Sequence, residues 1–238
     1  MTRAMTEVLR TQWLASRWLL VPIVLLCIGL PQAVVRLATR YAGGSLDRLN
    51  PGMTSEIGPP LLIGALEGLS AIFPFLAAIT GAAIALAAWN WDHRTNHVYA
   101  LALPVPRSRY ALMKLWAGAL ILLVPTLAIW IGAWLATAGV MIPDGLRAYP
   151  LAFTARFLLA ALLIYATMFA LAAGTIRTTL VIFIGSVLLL MVMGVGLPLL
   201  HDHLGVDLIT PLQTAWYTML GWPGPFEVFG GSWLLIDV

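Results

Sequence analysis

The chain has 238 residues, of which 61% are apolar and only 10% charged, with a mean hydropathy of +0.94; soluble domains carry about 25% charge. A soluble globular fold is excluded, and the sequence reads as an integral membrane protein whose length goes into spans. The formal net charge of +3 and pI near 9.4 do not argue for nucleic acid, because the basic residues lie beside apolar runs, where membrane topology accounts for them.

An apolar run of about 20 residues crosses a hydrocarbon core about 30 Å thick. On that criterion the sequence predicts an all-α membrane protein, one transmembrane domain over residues 1–238, with spans at about 18–37, 68–89, 115–138, 153–173 and 179–200. Helices are required because the bilayer interior offers no water to unpaired backbone groups. The opening MTRAMTEVLRTQWLASRWLL puts positive charges before an apolar run as a signal peptide does, but is read as the retained start of the first span. Cys27, the single cysteine, falls in that span as a small packing residue; one cysteine allows no internal disulfide and no C-x-x-C knuckle. Arginine outnumbers lysine twelve to one amid abundant Ala, Gly and Pro, a composition that points to a GC-rich bacterial genome and hence a bacterial plasma (inner) membrane.

The apolar stretch from Pro59 to Trp89 is too long for one straight span, and Pro74 removes a helix hydrogen bond within it. An interfacial segment followed by the span proper is predicted. The tail from His201 to Val238, rich in Gly, Pro and Trp, contains no uninterrupted run of span length. It reads as an outer re-entrant or interfacial segment, ending in the truncated start of a sixth span, so the count is five to six.

With the N-terminus in the cytoplasm, Arg3, Arg10, Arg17, Arg94, Arg107, Arg109, Lys114 and Arg177 fall inside, with only Glu7 and Asp92 against them. The other side receives five arginines and seven acids, a split that follows the positive-inside rule. Trp18, Trp89, Trp91 and Trp116 mark the inner boundary and Trp134 the outer one.

The polar chemistry concentrates in residues 89–116, WNWDHRTNHVYALALPVPRSRYALMKLW. His93 and His97 share a helix face beside Asp92, but a closed metal site takes about four ligands, and His201 and His203 map across the membrane. Metal is therefore disfavoured here, as it is for the outer His201, Asp202, His203 and Asp207. Asp92 to Leu103 suits a short helix, stopped by Pro104 and Pro106, with Ser108 capping the next helix. Arg109 and Lys114 then stand near a helix start, where the macrodipole disfavours cations by about 0.3–1 kcal/mol each. Anionic headgroups or an acidic partner, at about 1 kcal/mol per basic residue, offset that.

These residues, Asp92, Arg94, Thr95, then Leu103-Pro104-Val105 with Arg107 and Arg109, then Lys114-Leu115 opening a span, resemble the loop between the second and third spans of type-2 ATP-binding-cassette exporter permeases. The resemblance covers about 30 residues. Asp92-His93-Arg94-Thr95 stands where that family often has Glu-x-Gly-Thr, and the family has six spans. It implies a cytoplasmic coupling helix between spans 2 and 3 that docks a separate ATPase subunit through Asp92, Arg94, Thr95, Arg107, Arg109 and Lys114. It also implies a second permease chain, identical or paralogous, and ATP with Mg bound by the ATPase subunit rather than here. Consistently, no G-x-x-x-x-G-K-[ST] occurs, and neither H-E-x-x-H nor G-x-S-x-G, so no catalytic or cofactor residues are assigned. The alternative is a non-transporting membrane anchor or scaffold subunit of a larger complex.

Glu67 is the lone carboxylate of a long apolar stretch. At mid-bilayer its charge would cost about 2.5–3.5 kcal/mol, which makes it a candidate substrate or gating residue, against a simply solvated acid near the interface. Gly64 and Gly68 form a G-x-x-x-G pattern that permits close helix approach. Pro22, Pro31, Pro125 and Pro198 mark kinks or helix ends. The near-uniform Ala, Leu, Gly, Val and Ile of the spans suits a lipidic or amphipathic cargo and equally suits ordinary helix packing.

Overall fold

The computed structural model describes residues 2–46, 54–94, 106–140, 145–174, 181, 184–185, 226–230 and 232–237. Four helices among them are long and apolar enough to cross a membrane, Met5–Gly43, Pro59–Asn90, Ser108–Ala138 and Pro150–Ala172, and the chain is a multi-pass membrane protein. Apart from Val181, Ile184 and Gly185, which are helical, the predicted fifth span at 179–200 lies outside the described residues.

The first helix, α1 (Thr2–Leu46), runs 45 residues without interruption, about 67 Å at 1.5 Å per residue, and so extends well past both ends of the predicted 18–37. Pro22 and Pro31 lie inside it without ending it; each removes one backbone bond from a ladder whose neighbours hold. The long apolar stretch that follows, which includes the membrane-length run Pro59–Asn90, is broken by a turn at Ala71 into α2 (Thr54–Ser70) and α3 (Ile72–Arg94). The break falls there because Pro74 lacks the N–H that would bond the Ser70 carbonyl and its ring crowds that carbonyl. The Ser70 hydroxyl instead donates to the Glu67 carbonyl at 3.1 Å.

Helix α4 (Arg107–Ala138) begins after Pro106, whose φ of −55° and ψ of 137° make the extended entry, with no side-chain cap. The predicted Ser108 cap is therefore not formed, because Ser108 already lies inside the first turn. Helix α5 (Pro150–Ala172) opens with proline at its first position, where a missing N–H costs nothing. α3 continues through Asp92 to Arg94, so the first residues of the predicted coupling helix belong to the end of a span; residues 95–105 lie outside the described part.

α1 packs mainly on α4 and α3 mainly on α5, with α4 against α5 joining the pairs and α2 lying along α1. Lipid is as apolar as the side chains, so close van der Waals packing rather than water exclusion holds such helices together. Small residues set the spacing. Ala77, Gly81 and Ala85 make a buried stripe on α3, and Ala128, Gly132 and Ala136 a second on α4. A methyl group at Gly132 would stand 2.6 Å from the Cys27 carbonyl and 2.7 Å from that of Ile28; one at Gly81 would stand 2.9 Å from the Tyr165 backbone nitrogen. Gly64 and Gly68, singled out by sequence, face open space because α2 does not press its backbone on a neighbour there. Cys27 is buried at the α1–α4 contact.

The described end of the tail departs from the predicted start of a sixth span. Glu227–Phe229 is one 3-10 turn, and β2 (Ile236–Asp237) pairs antiparallel with β1 (Arg147–Ala148) ahead of α5. Arg147 faces Asp237 across this ladder, and the Tyr149 N–H bonds the Leu235 carbonyl at 2.9 Å. Residues 226–237 thus fold over the end of the bundle that carries Glu67, as an interfacial cap.

Candidate functional site

At the other end, three helices converge on Lys114. Asp92 lies in the last turn of α3, where its charge opposes the helix dipole, and Lys114 lies two turns into α4, with both side chains buried. They resolve this by pairing: Lys114 Nζ is 2.5 Å from Asp92 Oδ2 and also donates to the Ala88 carbonyl at 2.7 Å. The Tyr110 hydroxyl donates to the same carboxylate, 3.2 Å from Oδ1. The ammonium stands 4.6 Å from the centre of the Trp89 ring and 5.1 Å from that of Tyr110, so its remaining faces meet π-electrons. Asp92 is 0% and Lys114 5% exposed.

The backbone around Lys114 is held too. Gln12 of α1 donates its amide N–H to the Lys114 carbonyl at 3.1 Å, and the Tyr165 hydroxyl of α5 donates toward the Leu115 carbonyl at 3.0 Å. Gly118, one turn beyond Lys114, makes room for that phenol: a methyl group there would meet Tyr165 Cζ at 2.6 Å. Side chains from α1, α3, α4 and α5 therefore meet at one junction, directly where the chain leaves for residues 95–105 and returns.

Two residues of the predicted docking surface are therefore buried in the chain. Asp92 and Lys114 present no exposed charge to a partner, because each is the other's buried counterion. Of the remaining predicted residues, Arg109 is exposed and, with Met5, Thr6, Leu112, Met113 and Trp116, lines a groove of about 980 Å³ between the starts of α1 and α4. Thr95 and the side chains of Arg94 and Arg107 lie outside the described residues, as do those of His93, His97, His201 and His203. No group of three metal-ligating side chains occurs among the described residues. Trp18 and Trp116 are exposed, as boundary residues would be, but Trp89 is buried, tilted against Phe169 with ring centres 5.1 Å apart.

At the capped end, Arg156 organises the tail. Its Nε donates to the Val228 carbonyl at 3.1 Å and its Nη1 to that of Ser232 at 2.6 Å, while Nη2 donates to the Gly230 carbonyl. The guanidinium also lies 5.1 Å from the Trp233 ring centre. Trp233 meets Phe153 edge-on at 6.1 Å, and Phe153 meets Phe73 edge-on at 4.8 Å. Beside this seat a pocket of about 740 Å³ opens between the α2–α3 break and the tail, with Glu67 on its lining. Glu67 is exposed on the lining of that pocket.

Sequence reasoning missed Gln12, Tyr110, Tyr165 and Arg156. The first three are pairings between distant segments that no local pattern announces. Arg156 did carry a signal, as the one charge within the predicted 153–173 span. The chain matches no known protein family, no curated protein and no solved structure.

Proposed function

We propose that the chain is the permease half of an ATP-driven exporter in a bacterial inner membrane, working with a second permease chain and a separate ATPase subunit that binds ATP and Mg²⁺. The observation that carries this reading is the geometry flanking residues 95–105. The segment whose motif resembles the exporter loop is bracketed by Asp92 and Lys114, which close on each other at 2.5 Å and engage four helices. A force on that segment is thereby delivered to the whole bundle rather than to a loose loop, which is what coupling nucleotide hydrolysis to transport requires. Division of labour follows from the burial: Asp92 and Lys114 transmit, while Arg109, with Arg94, Thr95 and Arg107, meets the ATPase. The exposed groove beside Arg109 suits an inserted edge of such a partner.

The test is charge reversal at Arg107 and Arg109 together. At about 1 kcal/mol per surface charge, reversing two lowers affinity for the ATPase subunit on the order of tenfold or more. Co-purification of the ATPase and energised export should both fall while the helical content and thermal unfolding of the permease stay unchanged. Undiminished export, or a wild-type complex containing no nucleotide-hydrolysing partner, would refute the reading and favour a scaffold subunit.

A further inference from the structure

The pocket beneath the tail has a chemistry that the exporter reading leaves unused. We propose that it binds a hydrophobic monocation, an ammonium or phosphonium centre on an apolar body, with Glu67 as its counterion. The proposal rests on the exporter reading only in making this ligand a cargo.

Its size, about 740 Å³, is that of cavities that enclose drug-sized molecules. The walls are Pro74 and Phe75 from the start of α3, Ile164 from α5, and Phe226, Phe229 and Trp233 from the tail. Four aromatic rings with one carboxylate make the pairing that receives a poorly hydrated cation. Among the described residues, Glu67 is the only ionisable side chain on the lining, and its carboxylate has no ion-pair or hydrogen-bond partner there. Arg156, the guanidinium that holds the tail, does not line the pocket and is committed to three carbonyls.

Depth fits as well. Glu67 lies eight residues into Pro59–Asn90, the stretch that is long and apolar enough to cross a membrane, and so toward one end of it. Amphipathic cations concentrate at that depth. A zwitterionic phospholipid is disfavoured because, among the described residues of the lining, its phosphate would find no lysine or arginine, only the hydroxyls of Ser70 and Ser232. An anion would be repelled by Glu67.

The probe is tetraphenylphosphonium, measured by equilibrium dialysis against the full chain in nanodiscs of phosphatidylcholine, without ATPase or nucleotide. Saturable binding is expected, weakened about tenfold or more in Glu67→Gln, as loss of one partly desolvated charge pair implies. Glu67→Asp, which keeps the charge, should bind nearly as wild type. Phe75→Ala, at an exposed wall position, should weaken binding severalfold. Neutral triphenylphosphine oxide should not displace the cation, and neither should exchange into phosphatidylethanolamine nanodiscs. Absence of saturable binding, equal affinity in Glu67→Gln, or displacement by the neutral analogue or by phosphatidylethanolamine would each overturn the assignment. Since no ATPase is present, failure here leaves the exporter reading standing, and loss of the exporter reading leaves the binding result intact.

Discussion

Lys114 is the only lysine in the chain, and it is buried two turns into α4. Its place near a helix start, read from sequence, pointed to an outside partner, whereas the counterion is Asp92, 22 residues upstream. Pairing of this kind depends on how two helices meet, which local periodicity does not encode. Removing one member of a buried pair leaves the other uncompensated and costs about 3–5 kcal/mol, while replacing both with apolar groups of similar volume is near neutral. Asp92→Leu and Lys114→Met should therefore each destabilise the chain strongly, whereas the two together should recover most of the loss. Unfolding in mild detergent provides the double-mutant cycle. If the double variant is as unstable as the singles added together, the two residues are not acting as a pair.

Helix existence was readable from apolar run length, and the proline break before α3 from a single residue. Helix ends were not: α1 outruns its predicted span at both ends because amphipathic flanks continue a helix past the hydrocarbon. Contacts were half readable. The buried small-residue stripes at 77, 81 and 85 and at 128, 132 and 136 repeat every four residues just as Gly64 and Gly68 do, and nothing local distinguishes a stripe that meets a neighbour from one that faces open space. Gly132→Ala should thus push α1 from α4 and cost about 1–3 kcal/mol, the usual penalty of overpacking. Gly64→Ala meets nothing within 4 Å and should be neutral or stabilising by up to about 1 kcal/mol through helix propensity. Thermal unfolding of the two variants side by side checks the pair; equal effects would mean that close approach at Gly132 does not hold α1 to α4.

The two ends of the bundle differ in kind. One gathers Gln12, Asp92, Tyr110, Lys114 and Tyr165 into a closed junction; the other has a pocket under a tail pinned by Arg156. The site at the first end was legible as a cluster of unusual residues but not as an interior, and the pocket at the second was legible only through Glu67. An exporter requires the junction to face the ATPase in the cytoplasm and the tail to face away, an orientation that arginine placement also favours. The chain is well suited to a direct test, since Cys27, its single cysteine, is 0% exposed and serves as a silent background. Ser108, in the first turn of α4, and Ser232, in the tail, are both exposed, and serine to cysteine changes one atom. With a membrane-impermeant maleimide, Ser108→Cys should react in inverted vesicles and stay unlabelled in intact spheroplasts, and Ser232→Cys should show the opposite pattern. The reverse result would turn the junction away from the nucleotide supply, and with it the route by which hydrolysis reaches these helices.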